Sequence, residues 1–385
     1  MKFFYLFFAT LFSASTILAQ NSPSETTYHY PRGTLTKIGT ASWGAGGAGI
    51  VSPLDATAGF NNPALRSSYQ YPFYVEIGKR LPTEGALDTD TRLDKQKLLP
   101  AYLAISRSTE KYGISLAYAR FYSYRELTVK EIPVFNSFSQ EVENSAWLHE
   151  LDVSSLSLAC AFSLKPSLEL GASAGINYLA YNEFTNVSRP SDGHGFGYQL
   201  AIGAIYFPNE KLRFAILFKT ISAIKFEGSE DYLRIQNSVP VDTSSLFAVV
   251  TSYESMLGFP QVLSASLSYN LTHKWIFLFQ VDFEKWIGVA DGFENIAQFH
   301  SGMSYDLSSR ITVMAGYFTQ NDPSKISGDY YDQNFFTAGL NLDLSKKYTL
   351  SLSVIDSNLL SNKQPDETKD LFRQTYISVA IAFHL

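Results

Sequence analysis

The sequence has very little cysteine, little charge, and no long apolar run after its first twenty residues. Its only cysteine, Cys160, excludes an intrachain disulfide. The formal net charge of −6 excludes the basic surface expected of a nucleic-acid-binding protein, so no nucleic-acid partner is expected. No later stretch reaches the roughly eighteen consecutive apolar residues of a membrane-spanning helix.

The start of the chain carries a short apolar run with one positive charge. Lys2 precedes this run, small residues follow it, and a cleavage site fits after Ala19. This is the layout of a secretory signal peptide. We therefore expect residues 1–19 to be removed and the chain to be exported.

Aromatic residues are abundant, with 29 Phe and 24 Tyr, whereas only 17% of the residues are charged. An exported chain of this composition without a spanning helix is either a secreted β-protein or an outer-membrane barrel.

Alternating polarity decides between these two classes. In PQVLSASLSYNL (260–271), Leu263 and Leu267 lie on one face of a strand, and Ser264, Ser266 and Ser268 lie on the other. An apolar face beside a small polar face is typical of a strand with lipid outside and a wet interior. The last residues, TYISVAIAFHL (375–385), show the same alternation.

Strand-like segments recur along the chain, and their connections alternate in length. Six short connections alternate with seven longer loops, as in an even-stranded barrel. The sequence therefore predicts an all-β fold, a 14-stranded antiparallel transmembrane β-barrel over residues 71–385. The predicted strands are 72–81, 98–108, 112–124, 148–163, 168–182, 195–207, 211–225, 260–271, 274–286, 297–307, 310–320, 333–344, 347–356 and 372–385. The predicted long loops are 82–97, 125–147, 183–194, 226–259, 287–296, 321–332 and 357–371.

A closed barrel satisfies the requirement that every backbone polar group within lipid is paired inside the protein. The sequence ends on a patterned strand, which can pair with the first strand. Its last residues also resemble the C-terminal signal of bacterial outer-membrane barrels, with Leu385 in place of the more usual Phe. We therefore expect the protein in the outer membrane of a Gram-negative bacterium.

Residues 20–70 precede the first strand and contain the stretch DATAGFNNPAL (55–65). This stretch resembles a signature of the FadL-type family of outer-membrane transporters for long-chain fatty acids and other hydrophobic compounds. Phe259-Pro260, VDFEKW (281–286) and the count of fourteen strands are also similar to that family. The signature residues are Asp55, Ala56, Thr57, Ala58, Asn62, Pro63, Ala64 and Leu65.

The resemblance implies that residues 20–70 form a hatch in the lumen, with Asp55, Ala56, Asn62, Pro63 and Ala64 at its core. A barrel of this width cannot be filled by its own side chains, which also favours a plug. An ordinary N-terminal turn is the alternative.

The resemblance further implies passive uptake of hydrophobic small molecules such as long-chain fatty acids. PorV-like barrels, which serve protein secretion or surface attachment, share the same signature and are the alternative. A purely structural barrel is a third possibility. The expected partners are the hydrophobic substrate, outer-membrane lipids and the barrel-assembly machinery, and the protein is expected to be a monomer.

The longest loop, 226–259, holds apolar residues at helical spacing, which predicts an amphipathic helix beginning at Ser244 or Ser245. Such a helix would present an external apolar landing site or would pack on the barrel rim. The candidate ligand-binding residues are Leu246, Val249, Val250, Tyr253, Leu257 and Phe259.

Several polar residues are predicted to face the lumen, among them Lys219, Asp282, Glu284 and His300. Lys219 or Arg213 could bind the carboxylate of a fatty acid. Structural pairing of these charges within the lumen is the alternative.

Two strands change the phase of their alternation. A bulge near Ser154–Ser155 would reconcile the two halves of the fourth strand. The third strand changes phase near Arg120–Phe121, and the family resemblance places a lateral opening at a kink in this strand.

No catalytic constellation is apparent, and we expect neither an enzyme nor a cofactor or metal. His300 and Ser301 are neighbours on a strand and point to opposite faces. Ser304 shares the face of His300 but lies about 13 Å away at the strand rise. The other histidines show no ligand spacing.

Overall fold

The computed structural model describes residues 27–29, 38–51, 54–81, 100–136, 139–185, 191–233, 248–289, 292–323, 332–357 and 375–384. The predicted signal peptide lies outside these residues. Their helical content is one short α-helix, α1 (Thr40–Gly44), and one 3₁₀ helix, η1 (Arg66–Gln70). No helix in the described part is long and apolar enough to cross a membrane.

Strands account for most of the described chain. Aromatic and β-branched residues, which favour strands, are frequent in them. The strands are β1 (Thr27–His29), β2 (Phe73–Leu81), β3 (Tyr102–Ser108), β4 (Tyr112–Asn136), β5 (Ser139–Lys165), β6 (Leu168–Thr185), β7 (Ser191–Asn209), β8 (Leu212–Ile221), β9 (Ile224–Leu233), β10 (Ala248–Leu257), β11 (Gln261–Asn270), β12 (Trp275–Lys285), β13 (Ile296–Ser308), β14 (Ile311–Gln320), β15 (Gln333–Ser345), β16 (Tyr348–Asp356) and β17 (Thr375–Phe383).

Fourteen of the described strands form a closed antiparallel ring. The order β2 to β8 continues through β11 to β17, and β8 pairs with β11. The ring closes where β17 pairs with β2, from Thr375 opposite Leu81 to Phe383 opposite Phe73. The predicted 14-stranded barrel is therefore confirmed, and each ring strand overlaps a predicted segment.

The alternation of the two strand faces is confirmed as well. In β11, Ser264, Ser266 and Ser268 are buried on the inner face, whereas Tyr269 is exposed on the outer face. In the other ring strands many of the exposed large side chains are also apolar, as expected for a lipid-facing surface. Examples are Ile105, Leu116, Leu158, Ile176, Phe196, Phe279 and Val379.

The predicted loop 125–147 was largely wrong, because β4 and β5 continue through it as a paired ribbon. Arg125 lies opposite Glu150, and the pairing runs to Asn136 opposite Ser139. Residues with high strand propensity, such as Val129 and Ile132, favour this extension. The ribbon is longer than the nine to eleven residues that cross the hydrocarbon.

The helix predicted in loop 226–259 was also wrong over its described part. Residues 248–257 form β10, which pairs with β9 from Ala248 opposite Leu233 to Leu257 opposite Ile224. Val249, Val250 and Thr251 are β-branched and favour a strand, and backbone pairing with β9 outweighs the helical spacing of the apolar residues. β1 adds to the other edge of β10 in parallel.

The structure corrects one of the two predicted irregularities. Ser155 and Ser157 in β5 continue the buried phase of Leu151 and Val153, so the bulge predicted near Ser154–Ser155 is absent from that described strand. The phase change predicted in the third ring strand, β4, is confirmed. Between Arg120 and Tyr122 the register shifts by one residue, which makes Phe121 a β-bulge.

The chain before β2 contacts the inner faces of ring strands. We call the described residues between 38 and 70 the N-terminal segment. Helix α1 contacts β14, β15, β16 and β17, whereas η1 contacts β3, β4 and β5. The segment thus bridges separate parts of the ring.

Candidate functional site

Asp55, the first residue of the signature, holds the start of helix α1. Its carboxylate accepts hydrogen bonds from the N–H groups of Ala41 (2.9 Å) and Ser42 (2.6 Å) and from the Tyr74 hydroxyl (3.1 Å). Burial raises the pKa of the Asp55 carboxyl, while these hydrogen bonds act in the opposite direction. Asp55 therefore links two parts of the N-terminal segment to each other and links the segment to β2.

Glu76 of β2 completes this arrangement. Its Oε2 accepts from the N–H groups of Gly39 (2.9 Å) and Thr40 (3.2 Å), and it lies 3.2 Å from the Tyr74 hydroxyl. The first N–H groups of a helix have no partner within the helix. Two carboxylates from outside the helix supply those partners here.

The Asn62-Pro63-Ala64 turn packs against a part of the barrel wall where glycines leave room for it. Asn62 accepts from the Ala64 N–H (3.0 Å) and donates to the carbonyl of Ile50 (2.6 Å). Gly171 of β6 and Gly203 of β7 lie directly opposite one another. A Cβ atom at Gly171 would collide with the Pro63 carbonyl group, and one at Gly203 would collide with the Asn62 side chain.

Ala45 and Gly46 pack against a second glycine pair in the barrel wall. Gly302 of β13 lies opposite Gly316 of β14, and a Cβ atom on either would collide with the backbone of these two residues. Gly46 itself has φ of 78°, which favours glycine. The segment is thus fitted closely to the wall at two places, each made of a facing glycine pair.

An aromatic cavity of about 290 Å³ lies between the N-terminal segment and the strands. We call it the aromatic cavity because many of its large lining side chains are rings. Ile38, Leu217, Ile221 and Val262 add apolar surface. The rings belong to Trp43, Phe60, Phe121, Phe259, Trp286 and Phe318.

The four predicted luminal residues, Lys219, Asp282, Glu284 and His300, all line this cavity. The Asp282 carboxylate lies 3.1 Å from the Nε2 atom of His300. The other ring nitrogen of His300, Nδ1, lies 3.0 Å from the Gly46 carbonyl oxygen. These two residues therefore connect the wall to the N-terminal segment.

Glu284 and Lys219 have different partners. The Glu284 carboxylate accepts from the Trp286 indole N–H at 2.7 Å. The Lys219 ammonium lies 3.4 Å from the centre of the Phe60 ring and donates to the Phe60 carbonyl at 3.3 Å. Arg213, the other predicted carboxylate ligand, does not line the cavity and lies over the Phe207 ring.

A smaller cavity of about 210 Å³, lined mainly by polar residues, lies next to Asp55 and shares no lining residue with the aromatic cavity. Its lining includes Asp55, Tyr74, Asn341, Asp343 and His384. Asp55 and its bonding partners thus stand beside a polar space that is separate from the aromatic cavity.

The six candidate ligand-binding residues are not brought together. Leu246 lies outside the described residues, and so do the side chains of Val249, Val250 and Tyr253. Leu257 is fully buried in an apolar cluster with Ile224 and does not line the aromatic cavity. Phe259 belongs to the same cluster but also lines the cavity.

Sequence reasoning missed Glu76, the facing glycine pairs, and the rings of Trp43 and Phe318. Trp43 stands one residue before the glycine-rich run, and its ring packs edge-on against Phe318 at 4.9 Å. A carboxylate on the inner face of a strand beside Tyr74 was a usable signal for Glu76. The glycine pairs require knowledge of strand register, which the sequence gives only to within a few residues.

Within the described part of the chain, no group of three or more His, Cys, Asp or Glu residues could hold a metal ion.

No family model and no curated protein matches the sequence. Solved structures do match the fold. The CymD monoaromatic hydrocarbon channel has a TM-score of 0.60 at 12% identity, and covers 90% of this chain and 97% of its own. The Ralstonia pickettii toluene transporter TbuX has a TM-score of 0.61 at 11% identity, with coverage of 90% and 98%.

A Pseudomonas aeruginosa FadL homologue is similar to the same extent. Its TM-score is 0.59 at 12% identity, and the match covers 91% of this chain and 98% of the homologue. Identities this low establish the fold, and they do so over nearly the whole length of each chain. The protein therefore has the fold of the FadL-type barrels. The stretch from Asp55 to Leu65 resembles the signature of the same family.

Proposed function

We propose that the protein is an outer-membrane channel for passive uptake of hydrophobic small molecules, such as long-chain fatty acids. The aromatic cavity inside a membrane-spanning ring is the observation that carries this proposal. A cavity lined by rings and aliphatic side chains with a few polar groups is typical of a site for an apolar ligand. Movement down a concentration gradient needs no nucleotide or other energy source.

The similar structures support the same class of function. Two of them are described as a toluene transporter and a monoaromatic hydrocarbon channel. Those proteins are transporters rather than enzymes, and their fold is shared here. Fatty acids are the finer part of the proposal, and Lys219, an ammonium group in the cavity wall, supports a ligand with a carboxylate.

The N-terminal segment would act as the hatch of this channel. Helix α1 and Phe60 contribute lining residues to the aromatic cavity, and the Asn62-Pro63-Ala64 turn packs against β6 and β7. We propose residues 20–70 as the hatch unit and residues 71–385 as the barrel. The polar lining of the smaller cavity disfavours an apolar ligand on that side of the segment.

A lateral exit through the barrel wall suits an apolar ligand better than an exit through the smaller, polar cavity. The described β2–β3 pairing spans only Phe73–Glu76 with Tyr102–Ile105, and the β4 bulge at Phe121 adjoins the aromatic cavity. A bulge disrupts the local ladder of hydrogen bonds. The wall near β2, β3 and β4 is therefore the proposed place of release into the membrane.

Native mass spectrometry of the purified protein tests this function. The wild-type protein should carry a bound fatty acid or hydrocarbon after gentle extraction. Phe259→Ala, which removes a ring from the cavity, should lose most of it. Phe293→Ala is the matched control, because Phe293 is buried against Trp286 but does not line the cavity.

Retention of ligand by the Phe293→Ala variant together with its loss from the Phe259→Ala variant supports the channel and locates its site. An empty wild-type cavity combined with a tightly held protein partner would contradict the proposal. That result would favour the PorV-like role in protein secretion or surface attachment.

A further inference from the structure

Strand β4 has an open edge beyond the ring. Its pairing with β3 ends where Ala119 lies opposite Tyr102, whereas its pairing with β5 continues to Asn136. The Arg120 N–H still donates to the Ala101 carbonyl at 2.8 Å, and after that point no strand in the described part of the chain pairs with this side of β4. A strand edge of this kind presents a row of backbone donors and acceptors to which a further strand can add. We call residues 124–132 of β4, on the side away from β5, the open edge.

The open edge has the sequence YRELTVKEI, which is self-complementary when two copies run antiparallel about Thr128. In this register each residue lies opposite a residue of a favourable kind on the other copy. Opposite charges, an aromatic beside a β-branched residue, and paired threonines all stabilise antiparallel strands. The pairs are Arg125–Glu131, Glu126–Lys130, Tyr124–Ile132, Leu127–Val129 and Thr128–Thr128.

The neighbouring registers lack this complementarity. A shift of one residue places Arg125 opposite Lys130 in one direction and Glu126 opposite Glu131 in the other, and like charges directly opposite are destabilising. A shift of two residues in either direction places none of these four charges opposite another charge. Pro133 has no N–H to donate, so it ends the stretch that can pair. The sequence of the open edge therefore specifies a single register.

The other edge of the same ribbon does not fit a second copy. Strand β5 begins at Ser139, well before its first pairing with β6, where Trp147 lies opposite Thr185. The unmatched stretch of β5 carries Glu141 and Glu143 and no basic residue. Two copies paired along it would bring acidic residues together. The charges of the ribbon thus favour a second copy on the open edge of β4 and disfavour one on β5.

Antiparallel pairing also restricts how two copies can be placed in membranes. The two-fold axis that relates them is perpendicular to both strands. Barrel strands are tilted by about 35–45°, and β4 and β5 leave the ring as one ribbon on the side of the longer loops, which is the extracellular side of such barrels. An axis along the membrane normal would make two such ribbons cross. Two copies in facing membranes, with ribbons that approach from opposite sides, can run antiparallel.

We propose that the open edge of β4 pairs with the open edge of a second copy in a facing outer membrane, and that the protein thereby joins the surfaces that carry it. The inference is independent of the proposed function, because no residue of the open edge lines the aromatic cavity. It departs from the monomer expected from the sequence, since the ring closes on itself but the ribbon leaves an edge. Many copies on each surface add up to a contact that one strand pair is too weak to hold.

Exchange of the charges at Glu126 and Lys130 tests the pairing. These two positions are suitable because their neighbours on β5, His149 and Ser145, carry no carboxylate. The assay uses outer-membrane vesicles shed by an expression host, which keep the extracellular side outside, and follows clustering by dynamic light scattering. Wild-type vesicles should cluster. Clustering by Glu126→Lys alone or by Lys130→Glu alone should fall at least about tenfold, because like charges then meet at both ends of the pair.

Mixing the two kinds of single-variant vesicles should restore clustering, because each charge then meets its opposite on the other vesicle. The double variant with both substitutions should cluster with itself for the same reason. These two rescues distinguish a specific register from a general effect of surface charge. Single variants that cluster like the wild type would overturn the proposal. So would a mixture that fails to cluster, or wild-type vesicles that do not cluster at all.

A cysteine at the centre of the pair tests the register directly. Thr128→Cys is made in a chain that also carries Cys160→Ser. Residue 128 lies opposite its own copy, so mild oxidation of clustered vesicles should give a disulfide-linked dimer on a non-reducing gel. Ile132→Cys is the control, because the two copies of this position are about 26 Å apart at the strand rise. A dimer that forms as readily from Ile132→Cys, or fails to form from Thr128→Cys, would overturn the register.

Discussion

Replacing Asp55 by Asn should loosen the N-terminal segment while leaving the barrel intact. The carboxylate accepts from two backbone N–H groups and one hydroxyl, and its bond from Ser42 is the shortest of the three at 2.6 Å. The amide keeps one oxygen acceptor but places an NH₂ donor against either the Ser42 N–H or the pair formed by Ala41 and Tyr74. At least one hydrogen bond to a charged group is lost, and a buried N–H is left without a partner.

Each hydrogen bond to a charged group contributes about 1.5–3 kcal/mol, and an unpaired buried donor costs about 1–3 kcal/mol. Burial of the charge offsets part of this, because it raises the pKa of Asp55 and so disfavours the carboxylate. We therefore expect the segment to be held less tightly by about 2–3 kcal/mol, which corresponds to about a 30- to 150-fold change in its opening equilibrium.

Hydrogen–deuterium exchange with peptide mass spectrometry measures this effect. In the regime where exchange follows the opening equilibrium, amides around residues 40–51 should exchange faster by that factor. Peptides from β11 to β14 should be unaffected. Asp343→Asn is the control, because Asp343 lines the same polar cavity but bonds to Thr349 and not to the segment.

A change below about threefold at residues 40–51 would refute the reasoning, since it corresponds to well under 1 kcal/mol. An equal increase in the strand peptides would refute it differently, by showing that Asp55 supports the barrel as a whole.

Three further predictions concern residues of the barrel wall. Gly203→Val should displace the turn at Asn62 and destabilise the folded barrel by on the order of 3 kcal/mol or more. Ala204→Val, on the opposite face of β7, should be tolerated. Urea titrations in lipid vesicles, followed by gel mobility, compare the two variants. Ile176→Arg places a charge on the outer face of β6 and should cost about 2–4 kcal/mol near the bilayer midplane in the same titration, so an unchanged midpoint would contradict a lipid-facing position. Cys160, exposed on the outer face of β5, should react with N-ethylmaleimide in vesicles but not with a membrane-impermeant maleimide, and equal labelling by both reagents would place it in water.

The strands of the ring could be predicted from the sequence because lipid imposes one simple rule on them. The alternation of Ser264, Ser266 and Ser268 with apolar residues follows from water on one side and hydrocarbon on the other. The same rule failed in β5, where Leu151 and Val153 are apolar yet face inward. They pack there in the cluster around Phe121 and Phe259, a tertiary contact that alternation cannot reveal.

The ribbon regions beyond the ring were harder to predict, because they lie outside the rule that lipid imposes. Residues 248–257 combine helical spacing of apolar residues with β-branched Val249 and Val250, and only the pairing with β9 decides between the two. The alternation of inward and outward residues along the strands was enough to predict that four residues of the candidate site face the lumen: Lys219, Asp282, Glu284 and His300. The rings of Trp43 and Phe60 come from a segment with no periodicity, so their position depended on contacts distant in sequence.

The closing pair of strands has a consequence for the order of events during assembly. The first and last strands of the ring, β2 and β17, are separated by nearly the whole chain, and contacts this distant in sequence form slowly. The N-terminal segment contacts strands around much of the ring, and its backbone fits closely against the two facing glycine pairs. We therefore expect the segment to be in place before β17 pairs with β2, so that closure of the ring also encloses the first part of the chain.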